Sequence, residues 1–318
     1  MVSKPIAICL MGATATGKTA LALALHDVLP VEIISVDSSQ VYRGMDIGTA
    51  KPSAEELKRA PHRLIDIRDP AEAYTAAEFC TDALREMAAI HRSGRIPLLV
   101  GGTLFYFHAL EFGLSPLPSA DPELRARLVD EATQTSWQAL HARLAGVDPV
   151  SARRIHPNDT QRIQRALEIY ELTGQTPSRI SETTAPRPAP WRFVKIALQV
   201  SDRAVLHERI ARRFHVMLER GLMEEVEVLY RRGGLGPELP SIRTVGYRQG
   251  WAYLTNSVSY SEMVETAIAA TRQLAKRQLT WLRSYPDVQS LEAGTTAPVS
   301  ACLDYLRAAA GIVPEQRL

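Results

Sequence analysis

Apolar stretches of strand length alternate with helix-forming stretches through the first third of the chain. Ile6 to Met11, Glu32 to Val36 and Ile96 to Val100 read as strands, with helical patterns from Ala20 to Val28 and from Thr75 to His91 between them. That alternation predicts right-handed crossovers and a parallel sheet with helices on both faces. From Pro116 to about Pro190 the strand pattern disappears. Asp121-Pro122, Asp148-Pro149 and Asn158, the last before a periodic run that stops at Gly174, predict one capped helix after another. Thr183 to Pro190 reads as a linker, and Phe193 to Val200 returns to strand character. The expected architecture is therefore a three-layer α/β core with a parallel sheet, formed by residues 1–115 and 191–318 and interrupted by an all-helical insertion at 116–190. Further on, Ser201-Asp202 precedes a long helix with Leu206, Ile210, Phe214 and Leu218 on its apolar side and Gly221 at its end. Ser259 with Glu262 forms a capping box for another helix running to about Tyr285. The last thirty or so residues carry no clear pattern.

Composition narrows the function classes. Across 318 residues, 46% are hydrophobic and 23% charged, enough apolar content to bury a full core. The 37 Lys and Arg nearly balance the 35 Asp and Glu, so net charge gives no reason to expect nucleic acid. Cys9, Cys80 and Cys302 lie far apart and form no metal-ligand spacing; an odd, scattered set is expected in a reducing cytoplasm. A core strand begins within a few residues of the start, leaving no room for a signal peptide, and no apolar run approaches the roughly 20 residues of a membrane helix.

Candidate chemistry begins at Gly12-Ala13-Thr14-Ala15-Thr16-Gly17-Lys18-Thr19, which fits the phosphate-loop pattern GxxxxGK[ST] and sits between a strand and a helix. In that setting backbone N–H groups face a phosphate, Lys18 adds a positive charge, and the Thr19 hydroxyl is offered to magnesium. Asp37, at the carboxyl end of the second strand, would place a carboxylate across the crevice from Lys18, although Asp-Ser-Ser is also ordinary turn chemistry. The polar run from Ser38 to Pro52 has the density of a binding loop. The next strand ends in Gly101-Gly102-Thr103 rather than in the magnesium-binding aspartate of nucleotide hydrolases, which weakens an ATPase or GTPase reading. Arg209, Arg213 and Arg220 share one stripe of a helix. Arg209 reads as solvated, and Arg213, beside the apolar boundary, is placed to grip a diphosphate as a fork. Gln161 to Arg165 and Ser241 to Gln249 are basic and polar clusters. Between Arg243 and Arg283 six Lys and Arg face two acids, Glu262 and Glu265, a local surplus suited to a phosphate backbone.

Six segments together resemble the bacterial tRNA dimethylallyltransferases, also called tRNA isopentenyltransferases. They are Gly12 to Thr19; Asp37-Ser38-Ser39-Gln40-Val41-Tyr42-Arg43-Gly44-Met45-Asp46-Ile47-Gly48-Thr49-Ala50-Lys51-Pro52; Gly101-Gly102-Thr103; Asn158 to Glu168; Ser241 to Tyr247; and Arg272 to Trp281. The match runs from Ile6 to about Tyr285, with Ala13 standing where the family often has proline. The resemblance implies a fold like the P-loop NTPases and transfer of a dimethylallyl group from dimethylallyl diphosphate, with Mg2+, to N6 of adenine 37 beside the anticodon, in tRNAs that read codons starting with U. It further implies that the phosphate loop holds the prenyl donor's diphosphate, with Asp37 as base, Thr103 at the reacting centre and Arg213 on the leaving group. Asp37, Ser38, Ser39, Gln40, Thr103, Arg125, Gln161, Arg162, Ile163, Gln164, Arg165, Ile242, Arg243, Thr244, Val245, Gly246 and Tyr247 match positions that contact tRNA, with the insertion gripping the anticodon stem-loop. A monomeric cytoplasmic enzyme, without membrane attachment, is expected.

Three rivals share the loop. A small-molecule or nucleoside kinase would use it for ATP, an isopentenyltransferase of free adenine nucleotides would have no evident use for the insertion, and a non-catalytic RNA-binding nucleotide switch would need no carboxylate opposite the loop.

Overall fold

The computed structural model describes residues 4–294 and 297–314. In chain order the first part runs β1 (Ile6–Gly12), α1 (Lys18–Val28), β2 (Val31–Val36), α2 (Ala54–Arg59), β3 (His62–Arg63), α3 (Ala76–Arg92), β4 (Ile96–Gly101) and α4 (Leu104–Phe112). There follow α5 (Pro122–Gln134), α6 (Trp137–Val147), α7 (Pro149–Arg154), α8 (Thr160–Thr173) and α9 (Pro177–Thr183), with no strand among them. The chain then forms β5 (Arg192–Gln199), α10 (Arg203–Glu219), α11 (Leu222–Arg231), α12 (Tyr247–Leu254), α13 (Tyr260–Ser284), β6 (Val288–Glu292) and α14 (Val299–Ala310). By their internal contacts the residues form two compact units, one of Phe112–Pro188 and one of the chain before and after it.

In the larger unit the strands form one parallel sheet in the order β3-β2-β4-β1-β5-β6. Because side chains alternate across a strand, β1 feeds two cores. Ile8 and Leu10 join Leu21 and Leu25 of α1, Ile210 of α10 and Leu306 of α14 in one buried cluster. On the opposite face Cys9 pairs in register with Lys195, whose ammonium is buried and bonded at 2.6 Å to Glu111 of α4. A central strand buried on both sides explains the unbroken apolar run that announced it. The smaller unit packs α5, α6, α7 and α8 around Leu128, Leu140, Leu144, Ile163 and Leu167.

Local capping chemistry sets most helix starts. Ser53, Thr75 and Ser259 each form a capping box with the glutamate three residues on. Asp121 and Asp148 cap α5 and α7 ahead of their prolines. The α8 cap is Asp159, whose carboxylate accepts from Arg162 N, and not Asn158: of the two adjacent capping residues, the one nearer the helix reaches its N–H groups. The tail without clear pattern contains both β6, which pairs with β5, and α14, which packs on α1. The Val288–Glu292 strand reads polar because its residues are only partly covered.

Candidate active site

Strand register assembles the site. Met11 of β1 and Val36 of β2 both pair with Gly101 of β4, so the segments after these three adjacent strands leave the sheet side by side at its carboxyl edge. They line a cavity of about 810 Å³, together with residues of α10 and α13.

The loop after β1 turns through Ala15 and Gly17, both with positive φ, of which Gly17 at 90° is the position where a Cβ would be strained. The Thr16 hydroxyl and the Lys18 ammonium both donate to the Ala13 carbonyl, at 2.9 and 2.8 Å. Thr14, Ala15, Gly17, Lys18 and Thr19 line the cavity, while Gly12, Ala13 and Thr16 are buried. Burial pushes the Lys18 ammonium down to about 8; the nearby Arg213 guanidinium adds to the shift and Asp37 opposes it. Burial likewise lowers Arg213, again opposed by Asp37. Lys18, Arg213 and Asp37 all line the cavity, so two cations and one carboxylate share it, as required to hold a polyanion next to a base.

Asp37 divides its two oxygens. Oδ1 accepts from Ser39 N at 2.9 Å, Ser39 Oγ at 2.6 Å and Gln40 N at 3.3 Å, an ordinary Asx turn. All three bonds fall on Oδ1, so the turn reading accounts for one oxygen and leaves Oδ2 for other work. Thr103 does not stand alone at the crevice: its Oγ1 accepts from Ser38 N at 3.1 Å and donates to Ser38 Oγ at 3.4 Å, tying the end of β4 to the Asp37 turn. Gln40 is committed inside the loop, accepting from Ser35 Oγ and donating to the Thr49 and Ala50 carbonyls. Its carboxamide shapes the polar loop from within, while the half-buried residue also lines the cavity.

Glu225 of α11 holds the far side of that loop. Its carboxylate accepts from Asp46 N, Ile47 N and Gly48 N at 2.8, 2.9 and 3.1 Å and from the Tyr247 hydroxyl. Lys51, with its side chain almost wholly buried, pairs with Asp46 and Asp66. Neither anchor was singled out from sequence; a lone glutamate on a helix gives no sign that three backbone N–H groups from a distant loop converge on it. Of the 242–247 segment, Thr244, Val245 and Gly246 line the cavity, Arg243 is exposed, and Ile242 and Tyr247 are fully buried. The last two are packing residues, because aromatic and aliphatic side chains in a polar string are drawn inward.

The smaller unit sorts its expected contact residues in the same way. Gln161 and Arg162 are exposed on α8, and Ile163 is buried in the helical core. Arg125 binds the buried Glu168 through Nε at 2.8 Å and Nη2 at 3.0 Å, and Arg165 binds it at 2.6 Å while also donating to the Pro118 carbonyl. Burial works against the Glu168 charge, but the two arginines and the Asp121 N–H outweigh it and hold the carboxyl below its usual range. Gln164 donates to the Arg125 carbonyl. These side chains therefore have a structural commitment that the basic pattern alone did not reveal. Arg209 is also less solvated than expected, donating to the Gly294 carbonyl at 2.8 Å.

Similarity to known proteins agrees with this geometry. The family model described as IPP transferase matches residues 40–285. The chain belongs to that family. It is 60% identical over 313 residues to a tRNA dimethylallyltransferase from Thioalkalivibrio sulfidiphilus (strain HL-EbGR7), covering 96% of this chain and 98% of that one. Among solved structures of the family, a tRNA isopentenylpyrophosphate transferase from Bacillus halodurans matches with a TM-score of 0.70 and 38% identity, covering 97% of this chain and 96% of that one. A eukaryotic dimethylallyltransferase acting on tRNA matches with a TM-score of 0.78 and 27% identity, over 98% of this chain and 81% of that one. Membership also accounts for the missing aspartate at the end of β4, since a prenyl transferase has no nucleotide to hydrolyse. Among the described residues no helix is long and apolar enough to cross a membrane.

Proposed function

We propose that this chain transfers the dimethylallyl group of dimethylallyl diphosphate to N6 of adenine 37 of tRNA, in species that read codons starting with U. The carrying observation is that Lys18, Arg213 and Asp37 all line one cavity, fed by the ends of β1, β2 and β4. In this reading a diphosphate held by the loop N–H groups, Lys18 and Arg213 shares the cavity with the Asp37 carboxylate. As the N6–C1 bond forms and the C1–O bond breaks, the electron pair leaves with pyrophosphate, where the two cations stabilise it. Adenine's amino group is a poor nucleophile because its lone pair is delocalised, so Asp37 Oδ2 accepts its proton. The Thr103–Ser38 bonds keep that carboxylate in place.

The Thr19 hydroxyl and the Asp37 carboxylate are oxygen donors lining the same cavity, and the described residues contain no cluster of three or more His, Cys, Asp or Glu able to hold a metal. That set fits Mg2+, which takes few protein oxygens and relies on substrate phosphates and water. When bound, the ion would neutralise diphosphate charge, with Thr19 as its protein ligand.

The acceptor adenine has to leave its stack to reach a walled cavity, at a cost an anticodon loop reduces because it is already single-stranded. In this reading Ser38, Ser39, Thr103, Arg243 and the 244–246 segment meet the acceptor, Gln161 and Arg162 of the helical 116–190 segment meet the anticodon stem-loop, and the enzyme works as a cytoplasmic monomer. The test incubates the protein with Mg2+, dimethylallyl diphosphate and unmodified tRNA, with AMP as a parallel acceptor, followed by nucleoside mass analysis. A dimethylallyl gain on tRNA adenosine alone is expected. Gain on AMP would move the protein to the free-nucleotide enzymes, and ATP consumption without prenyl transfer would make it a kinase.

A further inference from the structure

Gln278 of α13 enters the active site between its two halves. Its Oε1 accepts from Thr14 N of the phosphate loop at 2.9 Å, and its Nε2 donates to the Gly102 carbonyl at the end of β4, also at 2.9 Å. A carboxamide offers an acceptor and a donor on two separate atoms of one side-chain end, whereas neither a carboxylate nor an ammonium could make both bonds. Gly102 permits the approach: a Cβ there would lie 2.5 Å from Gln278 Nε2. Thr103 follows directly, and its hydroxyl accepts from Ser38 N beside Asp37. One line of contacts thus runs from the donor loop through Gln278, Gly102 and Thr103 to the base.

We propose that Gln278 is a positioning residue that sets the spacing between the diphosphate loop and the Asp37–Thr103 acceptor side, and so between leaving group and nucleophile. The role rests on the transfer reaction given above. It assigns the Thr14 N–H to Gln278, leaving the diphosphate to the other loop N–H groups and to Lys18. Group transfer needs the reacting atoms about 3–3.5 Å apart, and a displacement of about 1 Å can cost about 10²-fold.

Gln278→Ala is therefore expected to split two readouts that general damage would move together. Single-turnover transfer should fall about 30- to 100-fold. Binding of inorganic pyrophosphate, titrated calorimetrically, should stay unchanged or tighten, because the Thr14 N–H is released to the ligand. Gly102→Ala, which pushes Nε2 away, should show the same split, and the double variant should be no slower than the worse single one. Pyrophosphate binding also reports whether each variant is folded, and if Gln278→Ala fails to fold, Gly102→Ala carries the test alone. The proposal is overturned if transfer stays within threefold of wild type, if pyrophosphate affinity and transfer fall by the same factor, or if the two substitutions are additive. Absence of transfer by the wild type would instead overturn the reaction itself, and this role with it.

Discussion

Replacing Asp37 by asparagine isolates a single oxygen. The amide Oδ1 still accepts from Ser39 N, Ser39 Oγ and Gln40 N, so the turn survives with only its charge assistance lost, at a cost of about 1 kcal/mol in stability. Oδ2 becomes an NH2 that cannot take a proton. General-base catalysis contributes about 10²- to 10⁴-fold, so the barrier to transfer should rise by about 2.7–5.4 kcal/mol. Binding is touched less, because removing the carboxylate takes away an anion beside the diphosphate site. The assay is single-turnover transfer with saturating donor and tRNA, beside separate measurement of tRNA affinity. The expected outcome is a loss of at least 10² in rate with tRNA affinity within about threefold. Asp37→Ala should match that rate loss and in addition destabilise the protein by about 1–3 kcal/mol through the abandoned turn N–H groups. A rate for Asp37→Asn within threefold of wild type, or equal losses in rate and tRNA affinity, would refute the role of base.

Lys18, pushed down to about 8 by burial, should lose its charge as pH rises through that value, so donor KM should climb between pH 7 and 9.5 and this dependence should vanish in Lys18→Met. Since the unfolded lysine titrates higher, the unfolded state binds more protons in the window from about 8 to 10.5, and stability of the ligand-free protein should rise there with pH, as a chemical-denaturation series would show. Glu225→Ala abandons three loop N–H groups and the Tyr247 hydroxyl; it should cost about 2–3 kcal/mol and open the 40–52 loop to proteolytic nicking, whereas unchanged cleavage would deny Glu225 its anchoring role. Arg162→Ala, at an exposed side chain, should weaken tRNA binding and reduce the salt slope by about one contact, while Arg165→Ala, held by Glu168 and Pro118, should lower the melting temperature more than the salt slope. A slope that moves for Arg165 and not for Arg162 would reverse that assignment.

Features governed by neighbours in sequence were legible before any coordinates. Strand β1 announced itself because both its faces are buried, the capping boxes at Thr75 and Ser259 because the partners lie three residues apart, and the phosphate loop because its N–H groups, Lys18 and Thr19 all belong to one turn. Misreadings have local causes too. Asn158 and Asp159 are both capping residues, and only geometry chooses between them. β6 and α14 escaped notice because a half-covered edge strand has no clean alternation and its helix follows a short connection.

The sequence by itself determined that a loop of the GxxxxGK[ST] pattern joins a buried strand to a helix, that a carboxylate follows the next strand, and that a helical segment interrupts an α/β chain. Each of these is written in residues within a few positions of one another, where hydrogen-bond reach and side-chain periodicity operate. Tertiary structure alone decided which polar residues remain available. It tied Gln40, Arg125 and Arg165 into bonds within the protein, buried Ile163, Ile242 and Tyr247, and brought Gln278 to Thr14 and Glu225 to Asp46 across most of the chain. A side chain's partners are settled by which surfaces pack together, and packing depends on the sum of many distant apolar contacts that no short string of residues encodes.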